Sequence, residues 1–390
     1  MSGAQSNGPL AGVKVVEVGG IGPGPFAGMI LADLGADVVR IDRPGGSLPL
    51  PMPPAEDLAN RGKTMISLDL KRPEAIDALL ALVAGSDLLV EGFRPGVAER
   101  LGFGPATCLE QNPALVYGRM TGWGQDGPWA TTAGHDLNYV AMAGALHAIG
   151  PADGPPSIPL NLLGDYGGGS TYLVMGLLAG LWSASRTGRG QVVDAAIVDG
   201  VAHLMAGVHG FVNSGLWTDR RGANFLDGAA PFYRLYETSD GRHVAVGGIE
   251  PAFFQEMCRL LGLSISTQEQ NDPAAWPRIE STLADAFAAQ SMDHWARLFD
   301  GSDACVTPVP SVLEAPTSDH LRKRGTFVLD DDRLAPAPAP RFSGTPTARP
   351  TRPAPPGADT REVLERLGLD ADALIASGAA YQIDTEGAGS

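Results

Sequence analysis

The chain has few cysteines and no long hydrophobic segment. Its three cysteines, Cys108, Cys258 and Cys305, lie far apart and show no metal-ligand spacing, so no metal site is predicted. An odd number of thiols without a pairing pattern is typical of a reducing compartment. The longest apolar run, residues 172–184, is too short to span a bilayer, and residues 1–10 lack the basic and apolar regions of a signal peptide. These absences predict a cytoplasmic protein with no membrane partner.

Positive charge is also scarce. The chain has 28 lysines and arginines against 44 aspartates and glutamates, which gives a formal net charge of −16 at pH 7. Proteins that bind nucleic acid usually present a basic surface to the phosphates, so the composition argues against nucleic acid as a partner. An anionic ligand would need a local cluster of cations that acts against the overall field.

Residues 13–42 follow a strand–helix–strand pattern. A β-branched run at 13–18 predicts a strand, apolar residues at helical spacing in 26–34 predict a helix, and residues 36–42 predict a second buried strand. Such a βαβ unit implies parallel pairing. We therefore expect an α/β fold with a parallel sheet, and 390 residues are enough for two domains.

The turn at residues 19–25 is similar to a dinucleotide-binding loop but differs in its chemistry. Asp42 ends the second strand, where an acid that binds a ribose would lie. However, Pro25 replaces the last glycine of the fingerprint, and Pro23 stiffens the loop. The sequence therefore argues against a nicotinamide or flavin cofactor.

Four cationic side chains lie in or beside the ends of predicted strands. They are Arg40, Arg61, Lys63 and Arg94. Open parallel sheets bind ligands at the carboxyl ends of their strands, so we expect some of the four to converge there on a phosphate or carboxylate. The alternative is a solvated surface on which these charges are incidental.

The character of the sequence changes near residue 224. A hairpin signal at Asp240-Gly241 and two helical segments predict a smaller α+β domain at 224–330. We expect residues 1–223 to form the first part of a large domain. Residues 331–390 contain a Pro/Ala-rich connector, which should be extended, and a final helix at 359–367.

The segment from Gly134 to Ser170 contains the best candidates for chemistry. His135 and Asp165 are each carried on a glycine-containing turn ahead of a helix-like run. Helix N-termini present free amides and a positive dipole end, which can hold an anion or a carbonyl oxygen that becomes one. The alternative interpretation of His135 and Asp136 is a hydrogen-bonded structural pair.

Taken together, several motifs resemble the family III CoA-transferase (CaiB/BaiF-type) superfamily and, within it, the α-methylacyl-CoA racemases. The resemblance covers nearly the whole chain. The motifs are Gly22-Pro23-Gly24-Pro25, residues 31–44, Asn60-Arg61-Gly62-Lys63, Phe93-Arg94-Pro95-Gly96, Arg186-Thr187-Gly188-Arg189-Gly190-Gln191, residues 303–309 and Glu314-Ala315. One departure is Gly92, where many members have asparagine, and this puts one contact to CoA in doubt.

This resemblance implies the architecture. It implies a Rossmann-like large domain with a parallel sheet, built from residues 1–223 and completed by 331–390, and a small domain between these segments. It also implies an interlocked homodimer. Each active site would lie between the large domain of one subunit and the small domain of the other.

The resemblance also implies the roles of site residues. Racemases of this superfamily carry Gly-His-Asp where Gly134, His135 and Asp136 stand, whereas transferases usually have an aromatic residue before the aspartate. By this comparison His135 and Asp165 are the two bases, and Glu250 hydrogen-bonds the histidine. Asp136 and Asn161 are candidates for orienting the bases. The candidate CoA contacts are Arg40, Arg61, Lys63, Arg94 and Gly134.

The sequence therefore predicts an isomerase of lipid metabolism that interconverts the epimers of 2-methylacyl-CoA thioesters without a metal or redox cofactor. Two alternatives remain open. In a CoA-transferase, Asp165 would act as a nucleophile and form a mixed anhydride. A protein that only binds acyl-CoA would have no turnover. The acyl chain, whether branched fatty, steroid side-chain or arylpropionyl, stays open.

Overall fold

A computed structural model describes residues 7–46, 52–330 and 333–383. The strands are β1 Lys14–Val18, β2 Asp37–Asp42, β3 Thr64–Leu68, β4 Leu88–Glu91, β5 Val116–Thr121, β6 Gln191–Ala196, β7 Tyr233–Glu237, β8 His243–Gly247, β9 Val306–Pro308, β10 Phe327–Asp330, β11 Arg333–Pro336 and β12 Ala380–Tyr381.

Sixteen α-helices lie in the described part of the chain. They are α1 Pro23–Asp33, α2 Pro73–Ala84, α3 Val97–Leu101, α4 Pro105–Gln111, α5 Asp136–Met142, α6 Ala145–Ala148, α7 Thr171–Thr187, α8 Ile197–Leu204, α9 Ala206–Asn213, α10 Pro251–Leu261, α11 Thr267–Gln270, α12 Trp276–Ala288, α13 Met292–Phe299, α14 Asp319–Arg324, α15 Thr360–Arg366 and α16 Ala371–Ser377. A π-helix spans Leu162–Ser170 and runs directly into α7.

The chain divides into two compact units. The first comprises residues 1–143, 160–204 and 328–390, and the second comprises 144–159 and 205–327. These bounds differ from the segments expected from the sequence, which placed all of 1–223 in the large domain and started the small one at 224. The second unit includes the segment 144–159, which contains α6 and lies in sequence between His135 and Asp165.

A seven-stranded sheet forms the centre of the first unit. Its strand order is β12-β3-β2-β1-β4-β5-β6, and all neighbouring pairs are parallel except β12 with β3. The central strands are buried, with Val16, Leu88 and Leu89 fully inaccessible, as expected for a parallel sheet covered on both faces. The predicted α/β class and the opening βαβ unit are confirmed.

Prolines begin several helices in both units. Pro23, Pro73 and Pro251 are the first residues of α1, α2 and α10. The first N–H of a helix has no intrahelical acceptor, so proline loses nothing there.

The second unit contains a three-stranded antiparallel sheet, in the order β7-β8-β9. Strands β7 and β8 pair across the turn that contains Asp240-Gly241, so the predicted hairpin is confirmed. Large apolar residues of α10, α12 and α13, including Phe254, Phe287 and Trp295, form the core on one face of this sheet. On the other face Tyr233 and Leu235 are exposed.

One local expectation was wrong. The glycines after Asp165 were interpreted as a turn that precedes a helix, but residues 162–170 are themselves helical, with π geometry. Among the described residues, no helix combines the length and the apolar character needed to cross a membrane. The cytoplasmic location stays a prediction.

Candidate active site

A cavity of about 540 Å³ opens in the first unit where β1, β4 and β5 end. Its walls are residues 18–25, residues 92–95, residues 120–123, Ala130, residues 132–135, Tyr139, Asp165 and Ile197. Open α/β sheets bind ligands at the carboxyl ends of their strands. The cavity therefore brings both predicted bases, His135 and Asp165, to the edge of the sheet where a ligand is expected.

His135 immediately precedes helix α5. Its backbone N–H donates to the side-chain oxygen of Asn138 at 3.0 Å, and its carbonyl accepts from the N–H of Asn138 at 2.8 Å. These two bonds fix the backbone on which the imidazole stands. The His135 side chain is exposed and lines the cavity.

Asp165 lies within the π-helix, and this helix packs closely against α8. A Cβ on Gly168 would lie 2.7 Å from Cγ2 of Val201, and one on Gly200 would lie 1.9 Å from the carbonyl oxygen of Gly168. Glycine at both positions thus lets α8 pack directly on the π-helix. The hydroxyl of Ser170 donates to the carbonyl of Asp165 at 2.9 Å. Short π-helical segments occur frequently at functional sites.

A backbone hydrogen bond joins the segments of the two predicted bases. The N–H of Asp165 donates to Oδ2 of Asp136 at 2.6 Å, and Asp136 is the residue after His135. The approach requires Gly164, because a Cβ there would lie 2.3 Å from the same oxygen. The other oxygen, Oδ1 of Asp136, is buried and has no hydrogen-bond partner. Asp136 therefore fixes the backbone at Asp165, and its role in orienting the bases stays a prediction.

The environment of Asp165 disfavours its charged form. Burial and, to a lesser extent, the negative charge of Asp136 raise the pKa of Asp165 to about 6, against the opposing effects of His135 and of a hydrogen bond from the side chain of Asn161. A carboxyl group with a pKa near 6 can donate or accept a proton close to neutral pH.

The β1–α1 loop closes the cavity against Asp165. Gly22 has a positive φ of 71°, and a Cβ there would lie 2.8 Å from Oδ2 of Asp165, so glycine is needed for both reasons. Pro23 and Pro25 begin helix α1 and have no N–H, which leaves Gly24 as the amide that can point to a ligand from that first turn. This is unlike the amide-rich cradle of a dinucleotide site.

Three of the four predicted CoA-binding cations are buried in ion pairs. Arg40 pairs with Glu17 and, at 2.8 Å, with Asp42. Lys63 lies 2.6 Å from Oε2 of Glu17, and burial, partly offset by Glu17, lowers its pKa to about 8. Both cations therefore neutralise carboxylates of strands β1 and β2, and neither lines the cavity.

Arg61 is likewise held inside the first unit. Its guanidinium donates to Oδ1 of Asp33 at 3.0 Å and to the carbonyl of Pro336 at 2.6 Å. Arg40 does border a second cavity, of about 370 Å³, together with Asp42, Asn60, Met65 and Tyr381. The Arg40 side chain is nevertheless only 1% exposed, and Arg61 and Lys63 line neither of these two cavities.

Arg94 behaves differently from the other three cations. It follows β4, is exposed, and lines the same cavity as Gly134, His135 and Asp165. Its charge is close enough to the cavity to lower the pKa of Tyr139, against the stronger effects of burial and Asp165, which raise it. Arg94 is the cation that the structure brings to the predicted bases.

Glu250 belongs to the second unit. It directly precedes α10, and its carbonyl accepts from the N–H groups of Phe253 and Phe254 at 3.1 Å. Its side chain is exposed. Within that unit it is close enough to Cys305 for its charge to raise the pKa of the thiol, after the larger effect of burial.

The cavity contains residues that the sequence did not single out. Tyr139 lies four residues after His135, on the same side of α5, and Trp123 packs edge-on against it with ring centroids 4.7 Å apart. The helical spacing from His135 was the available signal for Tyr139. In the part of the chain that the structure describes, no group of three or more His, Cys, Asp or Glu side chains could hold a metal ion.

The chain is similar to known proteins over almost its whole length. Residues 10–360 match the model of CoA-transferase family III. The chain is 43% identical over 369 residues to the α-methylacyl-CoA racemase of Mus musculus, covering 94% of this chain and 95% of that protein. It is 41% identical over 381 residues to the α-methylacyl-CoA racemase of Homo sapiens, covering 97% of this chain and 96% of that protein.

A solved structure agrees with these matches. The crystal structure of a CaiB/BaiF family protein from Brucella suis aligns with a TM-score of 0.78 and 26% sequence identity, over 93% of this chain and 100% of that one. The motifs, the fold and the extent of the match lead to one assignment: the chain belongs to CoA-transferase family III.

Proposed function

We propose that this protein is an isomerase that interconverts the R and S epimers of 2-methylacyl-CoA thioesters. The observation that carries the proposal is that His135 and Asp165 line one cavity, with the pKa of Asp165 raised to about 6. Identities of 43% and 41% to α-methylacyl-CoA racemases support it.

The proposed reaction is a 1,1-proton transfer. The thioester acidifies the hydrogen on its α-carbon. Neutral His135 removes that proton from one epimer, the electron pair of the C–H bond moves onto the thioester oxygen, and protonated Asp165 delivers a proton to the opposite face. The roles reverse for the other epimer. The proposed chemistry uses only acids and bases of the protein.

The raised pKa of Asp165 suits this exchange. With a pKa of about 6, roughly a tenth of the carboxyl groups are protonated at pH 7, compared with about one in a thousand at the ordinary value. A pair of bases with opposite protonation states is needed at the start of each turnover. Burial beside Asp136 raises the pKa of Asp165 and so increases the fraction of Asp165 that is protonated while His135 is neutral.

A CoA-transferase is the competing function, because the family includes both activities. There Asp165 would attack the thioester, the bond from carbonyl carbon to sulfur would break, and CoA would leave as an acyl anhydride forms on the carboxylate. This chemistry needs a carboxylate acceptor and does not need His135 as a base. A protein that only binds acyl-CoA would need neither a carboxylate acceptor nor a catalytic base.

The first prediction separates these functions. Incubation of one epimer of a 2-methylacyl-CoA with the protein in heavy water should give both epimers, with deuterium at the α-carbon, because inversion requires that the C–H bond break. His135→Ala and Asp165→Ala should each lower the rate by about 10²–10⁴-fold, the usual contribution of a positioned acid or base. Chiral chromatography with mass spectrometry measures both quantities.

His203→Ala provides the matched control. His203 lies at the end of α8, is exposed and does not line the cavity, so its loss should leave the rate unchanged. Inversion without deuterium uptake, or full activity of His135→Ala, would refute the two-base mechanism. Turnover that depends on an added carboxylate, with an anhydride trapped by hydroxylamine, would identify a transferase.

We further propose that Arg94 and the backbone at Gly134 contact the CoA part of the substrate directly. Arg94 is an exposed cation on the cavity that holds the predicted bases. Arg40, Arg61 and Lys63 contribute by holding the loops around that edge of the sheet through Glu17, Asp42 and Asp33, and Arg40 also borders the second cavity.

Charge reversal tests the role of Arg94. Arg94→Glu should raise KM about tenfold or more with little change in kcat, because a lost contact of one to two kcal/mol affects binding. Arg100→Glu, an exposed arginine outside the cavity, should leave KM unchanged. Equal KM values for the two variants, measured at the same ionic strength, would remove Arg94 from the CoA site.

A homodimer with shared active sites is also part of the proposal. The exposed apolar face of the β7-β8-β9 sheet, with Leu235 and Tyr233, supports association through the second unit. In such a dimer each site would combine His135 and Asp165 of one subunit with Glu250 of the other.

Complementation tests this arrangement. His135→Ala and Glu250→Ala should each be poorly active alone. If the sites are shared, heterodimers from co-expression contain one site with both residues intact, so activity should return to about a quarter of the wild-type value. No recovery, or a folded monomer in sedimentation at nanomolar concentration, would contradict a shared site.

A further inference from the structure

The ring of Tyr139 lies in the wall of the cavity and fills the space that two glycines leave open. A Cβ on Gly122 would lie 1.9 Å from Cζ of the ring, and one on Gly134 would lie 2.8 Å from Cε1. Trp123 packs edge-on against the ring at an interplanar angle of 82°. The side chain is 7% exposed, so its position and orientation are set by its neighbours.

The hydroxyl of Tyr139 has no protein partner among residues 7–46, 52–330 and 333–383. The other two buried tyrosines do: Tyr117 donates to the carbonyl of Phe103 at 3.2 Å, and Tyr236 donates to that of Pro231 at 2.6 Å. Buried phenols usually find a partner. Since Tyr139 lines the cavity, the remaining partner is whatever occupies it.

The hydroxyl also lies beside the backbone that carries His135 and within the electrostatic influence of Asp165. A Cβ on Gly134, the residue before His135, would lie 3.0 Å from the hydroxyl oxygen, and the charge of Asp165 acts on the phenol. Burial and Asp165 raise the pKa of Tyr139, so the group is protonated at neutral pH. A protonated phenol at this position is a hydrogen-bond donor.

We propose that the hydroxyl of Tyr139 donates a hydrogen bond to the thioester oxygen as that oxygen becomes the enolate oxygen. When the α-C–H bond breaks, the proton goes to His135 or Asp165 and the electron pair moves to the oxygen. Tyr139 keeps its own proton and stabilises the negative charge through a charge-assisted hydrogen bond. This inference rests on the proposed epimerisation.

Trp123 is the other aromatic donor at the cavity, and it does not fit this role. Its indole N–H is sealed from solvent and has no hydrogen-bond partner, so it cannot reach a ligand in the cavity. Its ring instead supports Tyr139 and in turn contacts Trp129 at a centroid distance of 4.9 Å. Of these two aromatic donors, the hydroxyl of Tyr139 is therefore the one available to a ligand in the cavity.

Tyr139→Phe is the direct test, because the ring that fills the space beside Gly122 and Gly134 is retained. We expect kcat for inversion and the rate of α-deuterium uptake to fall together by about 10²–10³-fold, the usual cost of one lost donor to an oxyanion. KM should change little. Tyr117→Phe, which removes a buried hydroxyl that does not line the cavity, should keep the wild-type kcat.

Binding of a CoA thioether gives a second readout. This analogue has the same branched chain but no carbonyl oxygen, so Tyr139→Phe and wild type should bind it with equal affinity. A Tyr139→Phe variant with wild-type kcat would overturn the inference, and so would one whose affinity for the thioether falls as much as its kcat, since that indicates a distorted site. Failure of the epimerisation proposal is distinguishable, because the wild-type protein itself would then take up no α-deuterium.

Discussion

The hydrogen bond from the amide of Asp165 to the carboxylate of Asp136, at 2.6 Å, joins the two segments on which the proposed chemistry depends. Asp136 begins the helix that follows His135, so the bond sets the π-helix against the start of α5. The same carboxylate places a negative charge beside Asp165 and, together with burial, raises its pKa to about 6. One buried acid thus both fixes the backbone of the proposed second base, Asp165, and helps to raise its pKa.

This arrangement requires that backbones approach closely, and glycines permit it. Gly164 leaves room for the carboxylate of Asp136, and Gly22, with its positive φ, leaves room for that of Asp165. Gly122 and Gly134 hold the ring of Tyr139. These segments are rich in glycine because side chains pack directly against their backbone, where a Cβ would clash. The same packing places Tyr139, His135 and Asp165 on the wall of one cavity.

Patterns of local sequence predicted much of the fold, because they depend on nearby residues. The βαβ unit, the hairpin at Asp240-Gly241 and the α/β class needed only strand and turn signals. Which of the four cations would be buried in ion pairs could not be predicted in this way. Arg40 meets Glu17 because parallel pairing places the two residues in register, and no local pattern encodes that partner. The π-helix around Asp165 depends likewise on packing against α8.

The central claim is that two bases act on opposite faces of one α-carbon, and variants that lack one base test it most directly. In heavy water, Asp165→Asn should exchange the α-hydrogen of only one epimer without inverting it, because His135 can remove and return a proton on its own face alone. His135→Asn should exchange only the other epimer. Exchange of the same epimer by both variants, or of both epimers by either one, would contradict the assignment of His135 and Asp165 to opposite faces.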